Sequence, residues 1–107
     1  MSNKKIVLTT AGSREEAEKI AYALVERRLA ACVNIVGPIY SVYRWQGKVE
    51  SADEHLLVIK TMAAHFDAVA KAIQELHSYE LPECIELSIE GGSAEYLEWI
   101  EQSVVGR

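Results

Sequence analysis

The chain has 107 residues, of which 50% are hydrophobic and 25% charged, with a formal net charge of -5. That length fits one domain over residues 1–107 with a real core, although so small a monomer buries only a limited share of its surface. The acidic balance disfavours nucleic acid as a partner and favours cations, and the short apolar run after Lys4 and Lys5 predicts neither a signal peptide nor a membrane span, so the expected compartment is the cytoplasm.

In chain order, the β-branched and apolar stretch Lys4 to Thr10 predicts a first strand that ends at Ala11-Gly12. Ser13 followed by Glu16 forms a capping-box pattern, and Ala17, Ile20, Ala21, Leu24 and Val25 recur at helical spacing up to the basic pair Arg27-Arg28. Ala31 to Val36 reads as a strand, bent at Gly37-Pro38 and continued from Ile39 to Trp45. A Gln46-Gly47 turn returns the chain antiparallel from Val49 to Ile59. Thr61 is the expected cap of a second helix whose apolar set is Phe66, Val69, Ala70, Ile73 and Leu76. The loop HSYELP follows, and Pro82 stops the helix pattern. Cys84 to Glu90 alternates as a half-buried strand would, with Ile85, Leu87 and Ile89 on one side. Ser93 caps a third helix expected to bury Tyr96, Leu97, Ile100 and Val104.

The order β-α-β-β-α-β-α is an α+β, ferredoxin-like split βαβ arrangement with one added helix: an antiparallel sheet with its helices on one face. Residues such as Ile6 or Val7, Val58 and Ile35 or Val36 must then supply a second apolar surface that needs its own cover. The long hairpin overreaches a domain of this size. Tyr40, Tyr43 and Trp45 argue against its outer half standing free in water, which predicts an obligate oligomer. Cys32 and Cys84 fall on strands at opposite edges of the sheet, too far apart for a disulfide within one subunit, and no CxxC is present to suggest a zinc or thioredoxin-type site.

The segments RLAACVNIVGPIYSVYRWQGKVE, LLVIKT, HSYELPECI and GSAEYLEWI, in that order and spacing, closely resemble the CutA family of divalent cation tolerance proteins. The match spans nearly the whole chain. It implies a ferredoxin-like subunit in a tight homotrimer with interlocking hairpins, an association with copper and other divalent metals, and a trimer similar to that of the PII signalling proteins. No enzymatic reaction is implied. Ser78 departs from the family pattern, which commonly has proline after the loop histidine, and this is expected to loosen the loop.

Few residues can carry chemistry, and each has two readings. Cys32 is either a soft ligand for copper or a buried small hydrophobe. His77, with Glu80 and Glu83 close behind it, either converges on a divalent ion or complements a helix dipole; the resemblance favours the ion. These four residues form the expected metal site, with no obligatory cofactor and with copper or another divalent cation as ligand. Lys60 is either a snorkelling edge residue or an inward cation paired with Glu54, Glu80 or another chain's carboxylate. Tyr43, Trp45, Glu54, Lys60 and Tyr79 are the expected members of a pocket between subunits, although the two hairpin aromatics also read as simple packing against the next subunit. His55 and His65 are expected to face solvent, and Cys84 to be structural.

Three function classes follow. The first is a metal-binding, metal-homeostasis homotrimer. The second is a PII-like regulatory trimer that takes a small anion or metabolite in its clefts with Lys60, Arg44 and backbone amides. An enzyme is the least supported, because no nucleophile has an adjacent base and no glycine-rich phosphate loop is present. TTAGSREE makes a poor anion loop for an acylphosphatase-like activity, and IVLTT and LLVIKT lack the aromatics of an RNA-recognition module.

Overall fold

A computed structural model describes residues 3–105 of the expected domain over 1–107. The elements run β1 (Lys4–Ala11), α1 (Arg14–Glu26), β2 (Cys32–Trp45), β3 (Lys48–Met62), α2 (Phe66–Leu76), β4 (Ile85–Ser88) and α3 (Ala94–Val105), with a turn of 3-10 helix at Ala63–His65 before α2. The sheet is wholly antiparallel in the order β2-β3-β1-β4, so Cys32 and Cys84 do stand on opposite edge strands and both thiols are free.

Alternation along the strands divides the sheet into two faces. Val7, Leu57 and Ile59 turn to one face and are fully buried against Ala17, Ile20 and Leu24 of α1 and Val69 and Ile73 of α2. The two crossover helices therefore share a face, as right-handed connections require. The other face carries Ile6, Leu8, Leu56 and Val58, all half-buried, with Val36, Ile85 and Leu87 exposed. α3 closes one end of that second face, where Ile100 and Val104 pack on Met62 with Ala31 and Ile89 at the margin. Its Tyr96 stays exposed rather than joining the core.

Several boundaries moved. Thr61 does not cap a helix: β3 continues through Met62 because the β1 ladder pairs Lys5 with Thr61 and Lys4 with Met62. The Thr61 hydroxyl donates instead to the Leu29 carbonyl at 2.6 Å, tying β3 to the chain that leaves α1. β4 is shorter than the expected Cys84 to Glu90, and its Ile85 and Leu87 lie on the face without α1 and α2 while Cys84 packs against the core. His55 and His65 are half-buried, not solvent-facing.

The hairpin of β2 and β3 carries its ladder from Cys32–Lys60 out to Trp45–Lys48, interrupted by a bulge between Val36 and Ile39 that contains the cis Gly37-Pro38 bond. Gln46 and Gly47 take φ of 51° and 83°, the left-handed values that a two-residue hairpin turn demands and that glycine adopts without a Cβ clash. β1 supports β3 only from His55 to Met62. Beyond that point the hairpin continues alone, which stretches the molecule to 44 Å along its long axis against 25 and 22 Å across.

Candidate functional site

The loop after α2 is fixed by a clasp on His77. The imidazole is buried, its Nε2 lies 2.5 Å from the Thr10 carbonyl, and the Tyr79 amide donates to Nδ1 at 3.1 Å. A carbonyl only accepts and an amide N–H only donates, so the ring is the neutral tautomer with its proton on Nε2. Both nitrogens are thereby used within the fold. No lone pair remains for a metal ion, and His77 is a clasp between the loop and the end of β1.

Glu16 completes the clasp from α1. The Ser13 hydroxyl accepts from the Glu16 amide at 3.1 Å, so half of the capping box forms. The Glu16 carboxylate does not return to the cap; it accepts the Ser78 amide at 2.6 Å and the Ser78 hydroxyl at 3.1 Å. Burial alone would raise the pKa of this carboxyl, but the two Ser78 bonds, with a Gly12 backbone bond, outweigh it and hold the pKa below its ordinary value. Ser78 therefore pins the loop rather than loosening it. A proline there would have no N–H to give.

Tyr79 extends from this clasp toward the hairpin. Its ring lies over His77 with centroids 4.5 Å apart, and its hydroxyl donates to Glu54 Oε2 at 2.8 Å. Gly12 makes room for it, since a Cβ at that position would come within 3.1 Å of the Tyr79 oxygen. Burial, followed by the bond to Glu54 and its charge, pushes the phenol well above its ordinary range, so Tyr79 is a permanent donor. Glu54 itself is only 8% exposed, on β3 opposite Ile39 at the bulge.

These groups form one wall of a groove of ≈ 770 Å³ beneath the hairpin. Ser41, Tyr43 and Trp45 supply the hairpin side, Thr10, Glu54 and Tyr79 the floor, and Glu80, Leu81, Pro82 and Glu83 the rim. Among the described residues, its lining holds three carboxylates and no Lys, Arg or His.

Four of the five expected pocket residues, Tyr43, Trp45, Glu54 and Tyr79, thus meet in one groove, and Lys60 does not. Its ammonium lies on the open sheet face against Asn34 Oδ1, with the Cys32 sulfur at 3.9 Å. Lys60 faces Ile6 across the ladder, four residues along β1 from the Thr10 that holds His77, which is roughly 13 Å at the usual strand rise. Cys32 and His77 are separated in the same way, so the expected metal set divides: Cys32 at the Lys60 end, Glu80 and Glu83 on the groove rim, His77 in its clasp. Among the described residues, no three His, Cys, Asp or Glu side chains converge on one point as a metal ion requires. Tyr96 of α3 is the neighbour of Cys32 that sequence reasoning placed in the core; burial and then the thiol push its phenol pKa above the ordinary value.

Glu16, Gly12 and Thr10 belong to the site and were not singled out for it, and Ser78 was singled out with the opposite effect on the loop. Glu16 carried a signal, but local capping and a long-range bond to Ser78 read identically in a linear sequence.

Residues 5–103 match the family described as CutA1 divalent ion tolerance protein. The chain belongs to the CutA1 family. It is 46% identical over 100 residues to the divalent-cation tolerance protein CutA of Thermus thermophilus, covering 94% of this chain and 97% of that one. It is likewise 46% identical over 98 residues to the chloroplastic protein CutA of Arabidopsis thaliana, covering 92% of this chain but spanning only 54% of the plant protein. The crystal structure of CutA from Xylella fastidiosa superposes with a TM-score of 0.94 at 41% identity, covering 96% of this chain and 99% of that one. The CutA1 fold, with its long hairpin and helix-backed antiparallel sheet, is therefore the fold of this chain. None of its described helices is long and apolar enough to cross a membrane.

Proposed function

We propose that this CutA1 chain serves divalent-cation tolerance as a cytoplasmic homotrimer that binds copper or another divalent cation and catalyses no reaction. The observation that carries the proposal is the uncovered apolar surface: the hairpin beyond the β1 ladder exposes Tyr40, Val42 and Val49 at 64–70%, and the open sheet face exposes Ile85 and Leu87. Surfaces of that kind call for a second copy of the chain. Assembly also supplies what one subunit lacks, because ligands too far apart within a chain can meet across an interface. Glu80 and Glu83 on the rim and Cys32 at the edge strand are the ligands the proposal offers, hard and soft respectively, and His77 is withdrawn to its structural role.

Native mass spectrometry of the protein with and without a few equivalents of copper reads subunit number and bound ions together. A trimer that takes up copper in multiples of three supports the proposal. A monomer, or a trimer that takes up none, overturns the corresponding half of it. The double variant Glu80→Gln/Glu83→Gln and the single variant Cys32→Ala then separate the two ligand types.

A further inference from the structure

We infer that the His77 clasp is a two-state proton latch: when the imidazole takes up a proton, its Nδ1 passes from accepting the Tyr79 amide to donating to the Glu16 carboxylate, and the loop is released from Tyr79 onward. The buried ring already stands between the two partners. Nδ1 accepts from the Tyr79 amide at 3.1 Å, and the same nitrogen lies 3.7 Å from Glu16 Oε2.

The exchange follows from counting donors and acceptors. An imidazolium carries a hydrogen on both nitrogens, so the Tyr79 N–H then faces a second donor and its bond is lost. Nε2 keeps its proton and its bond to the Thr10 carbonyl in both states. Glu16 gives nothing up, because each carboxylate oxygen has two lone pairs: Oε2 spends one on the Ser78 amide, and Oε1 accepts the Ser78 hydroxyl. A shift of about 1 Å brings Nδ1 to the usual length of a charge-assisted bond, which is stronger than the neutral bond it replaces. The two states share the Thr10 and Ser78 contacts and differ at Tyr79, which puts the hinge between Ser78 and Tyr79. Beyond that hinge the Tyr79 hydroxyl orients the buried Glu54 carboxylate at the base of the outer hairpin. The latch therefore ties the charge of one ring to the part of the chain that the helices leave uncovered. The groups that face the ring are the Thr10 carbonyl from β1, Glu16 from α1 and Tyr79 from the loop, while the Ile73 carbonyl of α2 accepts the His77 amide. Glu54 of β3 and Tyr43 of β2 act on Tyr79.

The latch goes beyond the metal reading and is tested without added metal, so each can fail alone. The experiment is nuclear magnetic resonance of the wild-type protein acidified from pH 6 to pH 5. That span lies within the range where histidine changes charge and above the titration of Glu16, whose pKa is held below 4.5. The imidazole nitrogen shifts read the His77 tautomer and charge, and hydrogen exchange corrected for its intrinsic pH dependence reads the protection of single amides. The expected result is that Nδ1 gains its proton while protection of the Tyr79 amide falls at least about tenfold, with the Ser78 amide still protected. In Glu16→Gln, which offers Nδ1 no anion, the Tyr79 amide is expected to keep its protection at the pH where wild type has lost it. Tyr79→Phe keeps the amide but not the hydroxyl, so its His77 is expected to titrate while the Glu54 resonances no longer follow. A ring that stays neutral to pH 5, a ring that charges while the Tyr79 amide stays protected, or a folded Glu16→Gln that behaves as wild type overturns the latch. Should Glu16→Gln unfold, the wild-type titration and Tyr79→Phe decide it.

Discussion

The inner and outer halves of the β2-β3 hairpin share one ladder and one style of sequence, yet their side chains have opposite fates. On the inner half, Leu57 and Ile59 are fully buried beneath α1 and α2, with Val33 and Ile35 packed beside them. On the outer half, Tyr40 is 70% exposed, Val42 64% and Val49 67%. Strand pairing satisfies the backbone along both halves. It does nothing for the apolar side chains, which need a second layer, and only the inner half has one within the chain. The difference teaches that this chain folds around its helices and leaves the apolar side chains of the outer hairpin without cover of its own.

The comparison can be broken or sharpened by substitution. The largest effect on subunit stability is expected from Ile59→Ala on the inner half, about 2–5 kcal/mol from lost burial and the residual cavity. Denaturant unfolding measures it, and a loss no greater than that of Val49→Ala on the outer half would erase the distinction between the halves. Next comes Trp45→Asp or Tyr43→Asp, where the subunit is expected to keep its secondary structure while the assembly dissociates or the chains aggregate. Light scattering coupled to circular dichroism tests this, and an unchanged trimer mass with unchanged melting would count against the hairpin as an interface.

Two smaller effects probe the loop after α2, which reaches the hairpin through the bond from Tyr79 to Glu54. The Glu16 carboxyl is held below its ordinary 4.5, so its contribution to stability is present above that pH and is lost as the pH falls through the lower folded value. Glu16→Gln removes this dependence. The gap in stability between wild type and variant is therefore expected to close on acidification below about pH 4.5 and to stay constant between pH 6 and 8, as a pH series of thermal melts would record. Parallel curves at every pH would mean that the carboxylate plays no part in the clasp. The smallest change is at Ser78. Ser78→Pro deletes the N–H that donates to Glu16 and is expected to cost about 1–3 kcal/mol, whereas Ser78→Ala keeps that bond and costs less. Equal stability of the serine and proline proteins would reduce the 2.6 Å amide contact to a bystander.

Much of the fold was legible because it rests on short-range rules. The Ser13 cap, the Ile20–Leu24 stripe, the Gln46-Gly47 turn and the strand alternations each depend on neighbours a few residues away, and together they imply the split βαβ order. Thr61 was misread because a β-branched hydroxyl residue before a helix fits both a cap and a strand end. The ladder to Lys5 decided it, and that pairing joins residues 56 positions apart. Ile85 and Leu87 alternate like core residues, yet α1 and α2 cover the opposite face of the sheet.

The site was legible only as an inventory. Tyr43, Trp45, Glu54 and Tyr79 line one groove of the chain, since hairpin register and topology bring the bulge near the loop after α2. Within the chain Lys60 and Cys32 stand apart from Glu54 and His77, because residues on the same strand and face can still lie far apart along it.

By itself the sequence determined the secondary elements, their order, the family and the acidic character of the chain, because period, capping and composition act locally. Tertiary structure alone decided that His77 is saturated by Thr10 and Tyr79, that Ser78 is fastened to Glu16 and that Lys60 leaves the groove. Each of these depends on where a side chain's few polar atoms find a partner, and such pairing is settled by long-range packing.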